Sequence, residues 1–349
     1  MTKFKLTHKG IWKKLLPICL FLIISIGLFY LMGYQKVANK GPISRHSYRQ
    51  GDSYAFALNY YYENNKLFEP SVLCVIEEKG GKTVSEFPIL YYFSAKIWKL
   101  TAVTPLVPRL INLIILFIGL FYLYKLSYTI LHDHFWSFLV SLLMFSSPLL
   151  GYYGFNFIPN IPALGFALIA TYYYYKYYTS SKVQFLILAT LLFAIGALLK
   201  ISSLFAFLAI NGAFFIKNIK KIKQNPRAIL MQLSSVIFVF VAVFSWYIFS
   251  KDYNTRNLDG LFRQDIIPIW NLSTEHIQQI LDVTYTNTII YFLNPFALIA
   301  LAGLFTASIA LWKRTSTTLL LITSILFLGV VMFIFLFFEA MDAHEYFLI

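Results

Sequence analysis

Cysteine and charge are what this sequence has least of. It carries two cysteines, Cys19 and Cys74, in 349 residues, which excludes a disulfide scaffold. Cys19 sits inside an apolar run, where a bridge has no place. Charged residues make up 13% of the chain, against about 25% in a soluble domain. Hydrophobic residues reach 59% and the mean hydropathy is +0.67, which excludes both an ordinary soluble domain and a disordered chain. No phosphate-cradling glycine-rich loop, CxxC pair or Ser-His-Asp arrangement occurs. Acidic residues are the scarcer sign, 15 against 29 basic, for a net charge of +14. In a soluble protein that excess would suggest nucleic acid. Here the basic residues flank apolar runs, so the partner they indicate is the lipid bilayer and not nucleic acid.

What is present is a series of apolar runs. A spanning helix needs about 20 mainly apolar residues. Nine candidates fall at 15–32, 105–128, 135–153, 160–178, 183–199, 202–216, 229–249, 291–312 and 317–338. The fold expected is an all-α polytopic membrane protein, one integral domain over 1–349 with about nine transmembrane helices. Residues 1–14, with Lys3, Lys5, Lys9, Lys13 and Lys14, read as a cytoplasmic tail before an uncleaved anchor. The small-x-small triplet Ser25-Ile26-Gly27 lies inside the apolar run. If spans alternate, Lys125, Lys176, Lys182, the Lys217–Arg227 cluster and Lys313-Arg314 all fall on the cytoplasmic side. Runs 183–199 and 202–216 form one stretch too long for a single crossing, so a hairpin with Lys200 at its outer tip is expected. Two polar segments, 33–104 and 250–290, then face outward as loops. The first carries an amphipathic helical pattern from Asp52 to Lys66 and a second apolar helix from Pro88 to Leu100, both suited to the interface. Tyr172–Tyr175 with Tyr177 and Tyr178 form an aromatic belt near the inner surface.

Several residues could carry chemistry. Asp52 stands at the start of the amphipathic pattern, where it serves either as an N-cap or as a general base at the membrane surface. Arg109, at the outer mouth of the second span, either snorkels to headgroups or clamps a lipid phosphate with its planar fork. Lys200 divides the same way, since a lone cation at a hairpin tip tends to be functional. Glu339, Asp342, His344 and Glu345 match no strong metal spacing, and a solvated helix end accounts for them. Asp252, Asp259, Asp265, Glu275, His276 and Asp282 are scattered through the second loop without diagnostic spacing. Neither a metal nor a cofactor is expected.

Taken together, these residues resemble the GT-C superfamily of polytopic glycosyltransferases, in its bacterial protein O-mannosyltransferase-like and aminoarabinose-transferase-like branch. His46-Ser47-Tyr48-Arg49-Gln50-Gly51-Asp52 resembles that branch's first outer motif. Glu86-Phe87-Pro88-Ile89-Leu90-Tyr91-Tyr92 resembles its second. Pro108-Arg109-Leu110 resembles the arginine opening span two, and Ala197-Leu198-Leu199-Lys200 the lysine hairpin tip. His344-Glu345-Tyr346-Phe347-Leu348-Ile349 resembles the start of a C-terminal stretch.

The resemblance implies a polyprenyl-phosphate sugar donor, an acceptor hydroxyl of unknown kind, and inversion in one step without a metal. Asp52 would be the base, Arg109 and Lys200 would neutralise the leaving phosphate, and Arg49, Glu86, Asn160, His344 and Glu345 would surround sugar or acceptor. It also implies a bacterial plasma membrane, with the active site extracytoplasmic. Two departures stand out. Pro159-Asn160 replaces the family's acidic "PD" step, and Glu86 replaces the usual lysine before the proline. Such enzymes also continue beyond the point corresponding to Ile349. The competing readings are a transporter or flippase of lipid-linked sugars and an inactive scaffold relative. Transporters place functional polar residues near the midplane, whereas the ionisable residues here gather outside the spans.

Overall fold

The computed structural model describes residues 8–73, 81–219, 225–257, 262, 266–342 and 346. All nine apolar runs are helical. Helix α1 covers His8–Leu31 and a single turn, α2, covers Tyr34–Val37. The first polar segment folds as α3 (Ser47–Tyr62) and α4 (Ile89–Trp98). Then come α5 (Leu106–Leu131), α6 (His134–Phe145), α7 (Pro148–Gly154) and α8 (Asn160–Ser180). The hairpin is α9 (Val183–Leu199) and α10 (Leu204–Asn218), followed by α11 (Pro226–Arg256). The chain continues through α12 (Thr274–Thr284), α13 (Ile290–Phe292), α14 (Pro295–Ala310) and α15 (Thr317–Leu336).

The count of spans differs from the expected nine. Among the described residues four helices are long and apolar enough to cross a membrane: α5, Ile201–Asn218, α11 and α15. A fifth is reached if α6 and α7 are taken together, but that pair is bent by 76°. The bend has a local cause. Ser147 is extended and its side chain accepts from Leu150 N, while Pro148 occupies the first position of α7. The proline lacks the N–H that a continuing helix would need, and serine caps the new start. Helices α9, α14 and the apolar part of α1 are shorter apolar helices. Helix α8 is 21 residues long, but its tyrosine run lowers its hydropathy.

Helices α5, α8, α9 and α11 pack side by side. At the α5–α8 crossing a Cβ on Gly119 would stand 2.7 Å from Gly165 Cα, and one on Gly165 2.7 Å from the Ile115 carbonyl oxygen. Only glycine lets the two backbones approach this closely, the usual device for packing helices in lipid. Ala167, Ala170, Phe193, Ala197, Phe207 and Val239 fill the core between α8, α9, α10 and α11. Buried polar pairs cross the same interfaces: Thr190 Oγ1 and Ser235 Oγ are 2.6 Å apart, and Gln232 Nε2 donates to Asn211 Oδ1.

On one end of these helices lies a small layer made by α3 and α4. Its core is Phe56, Tyr60, Tyr91, Ala95 and Trp98. Two backbone clips fix it. Asn254, near the end of α11, accepts from Val84 N at 2.9 Å and donates to Val84 O at 2.8 Å. Phe87 N donates to Leu198 O at 3.0 Å, one of the carbonyls that the end of α9 leaves without a helical partner. The start of α4 is thereby set beside Lys200.

Candidate active site

Asp52 does not cap its helix. Helix α3 begins at Ser47, after His46 in a left-handed conformation (φ 52°), so Asp52 lies in the second turn and the N-cap reading is overturned. The buried residues of α3 include the stripe Gln50, Ser53, Ala57 and Tyr60, spaced as one helical face, with Ala55, Phe56 and Asn59 buried beside it. Asp52 is half-buried, in helical register with the buried Ala55, Phe56 and Asn59. It lines a cavity of about 410 Å³ with Ser47, Tyr48, Gly51, Ala55 and Leu73.

The stripe is held from inside. Gln50 Nε2 donates to Ile43 O at 2.9 Å and Arg45 O at 2.7 Å. Next to it in sequence, Arg49 meets Glu86 with Nη2 2.5 and 2.6 Å from the two carboxylate oxygens. Glu86 also accepts from the Ser85 and Tyr91 hydroxyls. Ser53 Oγ closes the ring, 3.1 Å from both Arg49 Nη1 and the Tyr91 hydroxyl. The pair is largely shielded, with side-chain exposures of 15% and 11%. Its charges cancel, so it acts as a rigid neutral brace between α3 and the start of α4.

Asp52 lies one turn beyond Arg49 on α3, and Lys200 follows the Leu198 carbonyl that holds Phe87. Burial pushes the Asp52 carboxyl above its ordinary range; Arg49 opposes the shift and Glu86 adds to it. Burial lowers the Lys200 ammonium to about 8, with Glu86 opposing the shift and Arg49 adding to it. Burial alone would raise Glu86, but Arg49 and the hydrogen bonds outweigh it and hold the carboxyl below its usual range. Asp52 is thus a carboxylate of raised basicity and Lys200 a cation that titrates within reach of neutral pH.

Lys200 is extended (φ −157°, ψ 124°) between α9 and the turn that opens α10, at the hairpin tip as expected. Its Nζ stands 5.7 Å from the centre of the Tyr346 ring. Tyr346 also meets the His46 ring edge-on at 5.0 Å, and its carbonyl accepts from Asn160 Nδ2 at 2.7 Å. Asn160 is thus buried and bonded to the chain. His344 and Glu345 lie outside the described residues, as do Asp259 and Asp265.

Arg109 departs from the expected phosphate role. It is 3% exposed, with Nη1 donating to Phe155 O at 2.6 Å and Nη2 to Lys40 O at 3.2 Å and Gly41 O at 3.1 Å. The Phe157 ring lies 4.2 Å from its guanidinium carbon. One turn on, Asn112 donates to Asn156 O at 2.7 Å and Ile158 O at 3.0 Å. These two residues of α5 secure the loop that delivers Asn160. Sequence reading missed Ser53, Tyr91 and Tyr346 as site residues, although all three lie in or beside the quoted motifs.

The family model described as dolichyl-phosphate-mannose-protein mannosyltransferase matches residues 85–246. Over that stretch the chain is similar to a glycosyltransferase family. The matched part begins beside Glu86 and holds Arg109, Asn160 and Lys200; Arg49 and Asp52 precede it. The similarity supports the superfamily-level resemblance and, with the apolar helices, a multi-pass membrane protein. No curated protein and no solved structure matches the chain.

Proposed function

We propose that this chain is an inverting glycosyltransferase that moves a sugar from a polyprenyl-phosphate donor to an acceptor hydroxyl at the extracytoplasmic face of a bacterial plasma membrane. The observation that carries the reading is the geometry around the Arg49–Glu86 pair: Asp52 follows Arg49 by three residues on α3, and Phe87, next to Glu86, is bonded to the Leu198 carbonyl two residues before Lys200, next to the stretch similar to the mannosyltransferase family. In the reaction the acceptor oxygen forms a bond to the anomeric carbon and gives its proton to the Asp52 carboxylate. The bond from the anomeric carbon to the phosphate oxygen breaks on the opposite face, and polyprenyl monophosphate leaves. Lys200 offsets the charge that develops on that phosphate, which lowers the barrier most where water is excluded. Burial makes Asp52 a stronger base than an ordinary aspartate, which favours proton transfer to it.

Arg49 and Glu86 are positioning residues in this scheme. Glu86 stands where the family's lysine would bring a second cation, so Lys200 carries more of the phosphate charge here. Arg109 acts through the Phe155–Ile158 loop. The sugar and acceptor class are open to the assay. With labelled polyprenyl-phosphate mannose, a delipidated envelope extract as the source of acceptor hydroxyls, and the purified full chain in lipid nanodiscs, the wild type should release polyprenyl phosphate and pass the label to the extract. Lys200→Ala should lower release at subsaturating donor by roughly 10- to 150-fold, the worth of one charge-assisted contact. Unchanged release in Lys200→Ala would remove it from the site.

A further inference from the structure

The opposite end of the helix bundle carries a second arrangement that glycosyl transfer does not use. Lys125 stands within the last two turns of α5 and Lys176 within the last two of α8. Both are half-buried. Lys125 Nζ lies 4.6 Å from the centre of the Tyr122 ring and 4.7 Å from that of Tyr172. Lys176 Nζ lies 5.7 Å from the same Tyr172 ring. Two ammoniums from neighbouring helices thus share one buried aromatic ring, and like charges gathered on one ring repel. Among the described residues neither has a carboxylate partner. Asp133, the acid nearest in sequence, is exposed and accepts from Trp136 N at 3.0 Å as the cap of α6.

Cation–π contacts hold the two ammoniums in place but do not cancel their repulsion. An anion between them would turn one repulsion into two charge-assisted hydrogen bonds. A third donor is at hand. The Tyr122 and Tyr173 hydroxyls are 2.9 Å apart, and their mutual bond uses one hydroxyl hydrogen and leaves the other for an outside acceptor. The tyrosines mark this as an interfacial level, where lipid headgroups lie.

We propose that Lys125 and Lys176, walled by Tyr122, Tyr172 and Tyr173, bind the phosphate of an anionic phospholipid. The site is remote from the Asp52–Lys200 cluster, so it stands or falls apart from the proposed reaction. The probe is phosphatidylglycerol, with phosphatidylcholine as the neutral comparison, added to the delipidated full chain and read by native mass spectrometry. The wild type should retain phosphatidylglycerol in preference to phosphatidylcholine. Lys125→Gln and Lys176→Gln should each lower that retention by roughly fivefold, the worth of one basic residue at an anionic surface. Lys125→Arg should keep it, as should the double change Lys313→Gln/Arg314→Gln, which removes two exposed charges from another turn. Equal loss in the Lys313/Arg314 variant would reduce the effect to net charge and overturn the site. So would the absence of any preference in the wild type, or displacement of the lipid by inorganic phosphate at equal concentration, which would assign the lysines to a free anion. Should either glutamine variant fold poorly, the lipid preference of the wild type and of Lys125→Arg decides.

Discussion

At the scale of single residues, the arrangement around Glu86 matters most. A lone carboxylate there would be costly to bury, and Arg49, Ser85 and Tyr91 make it stable by charge and hydrogen bonds. Removing one partner of such a shielded pair leaves the other uncompensated, at a cost of about 3–5 kcal/mol. Glu86→Gln should therefore lower the thermal midpoint markedly, and Glu86→Lys should lower it further by setting two cations together. The exchange Arg49→Glu/Glu86→Arg should recover part of the loss, which a midpoint measurement on the three variants checks. The pH profile also follows from single groups. In the proposed reaction Asp52 must be ionised, so kcat/KM should rise with pH through a value above the ordinary aspartate range. It also needs Lys200 charged, so kcat/KM should fall again as pH passes about 8. Lys200→Arg should carry the alkaline limb to higher pH, because guanidinium stays protonated. An alkaline limb unmoved in that variant would assign it elsewhere. Asp52 and Lys200 were legible as candidates from position alone. Their shared brace was not, because Arg49 and Glu86 are far apart in sequence and their pairing depends on where α4 docks.

At the scale of elements, the sequence pattern located helices well and their joints less well. The hairpin tip at Lys200 and the short helix after Pro88 stand where the apolar runs and the proline put them. The start of α3 does not, since Ser47–Gly51 contains polar residues and a glycine that disfavour helix. The contacts of Gln50 to Ile43 and Arg45 override that preference. The break between α6 and α7 had a readable signal in Ser147-Pro148, but an apolar composition on both sides hid it. Close packing of α5 on α8 yields a sharper forecast. Gly165→Val places carbon against the Ile115 carbonyl, and overpacking of this kind costs about 1–3 kcal/mol. Its thermal midpoint should fall, while Gly303→Ala, where a Cβ meets nothing within 4 Å, should leave the midpoint near that of the wild type.

At the scale of the whole molecule, the helices sort their charges to two ends. Asp52, Glu86 and Lys200 gather where α9 and α11 finish and α5 and α8 begin. Lys125, Lys176 and Lys182 lie where α5 and α8 finish. In a chain lacking Cys19 and Cys74, a cysteine at the exposed Leu100 should react with an impermeant thiol reagent in intact cells, and one at Lys182 should not. Ser71 would be a poor reporter, because it is buried against Asn59. The reverse labelling pattern would invert the proposed orientation. The proposed chemistry rests most directly on Asp52, and that is tested by transfer at saturating polyprenyl-phosphate donor. Asp52→Asn leaves α3 its shape, since the residue caps nothing, but removes the proton acceptor. In Asp52→Asn, kcat should fall by roughly 100-fold or more with an unchanged thermal midpoint. Near-normal kcat in Asp52→Asn would contradict the proposed chemistry.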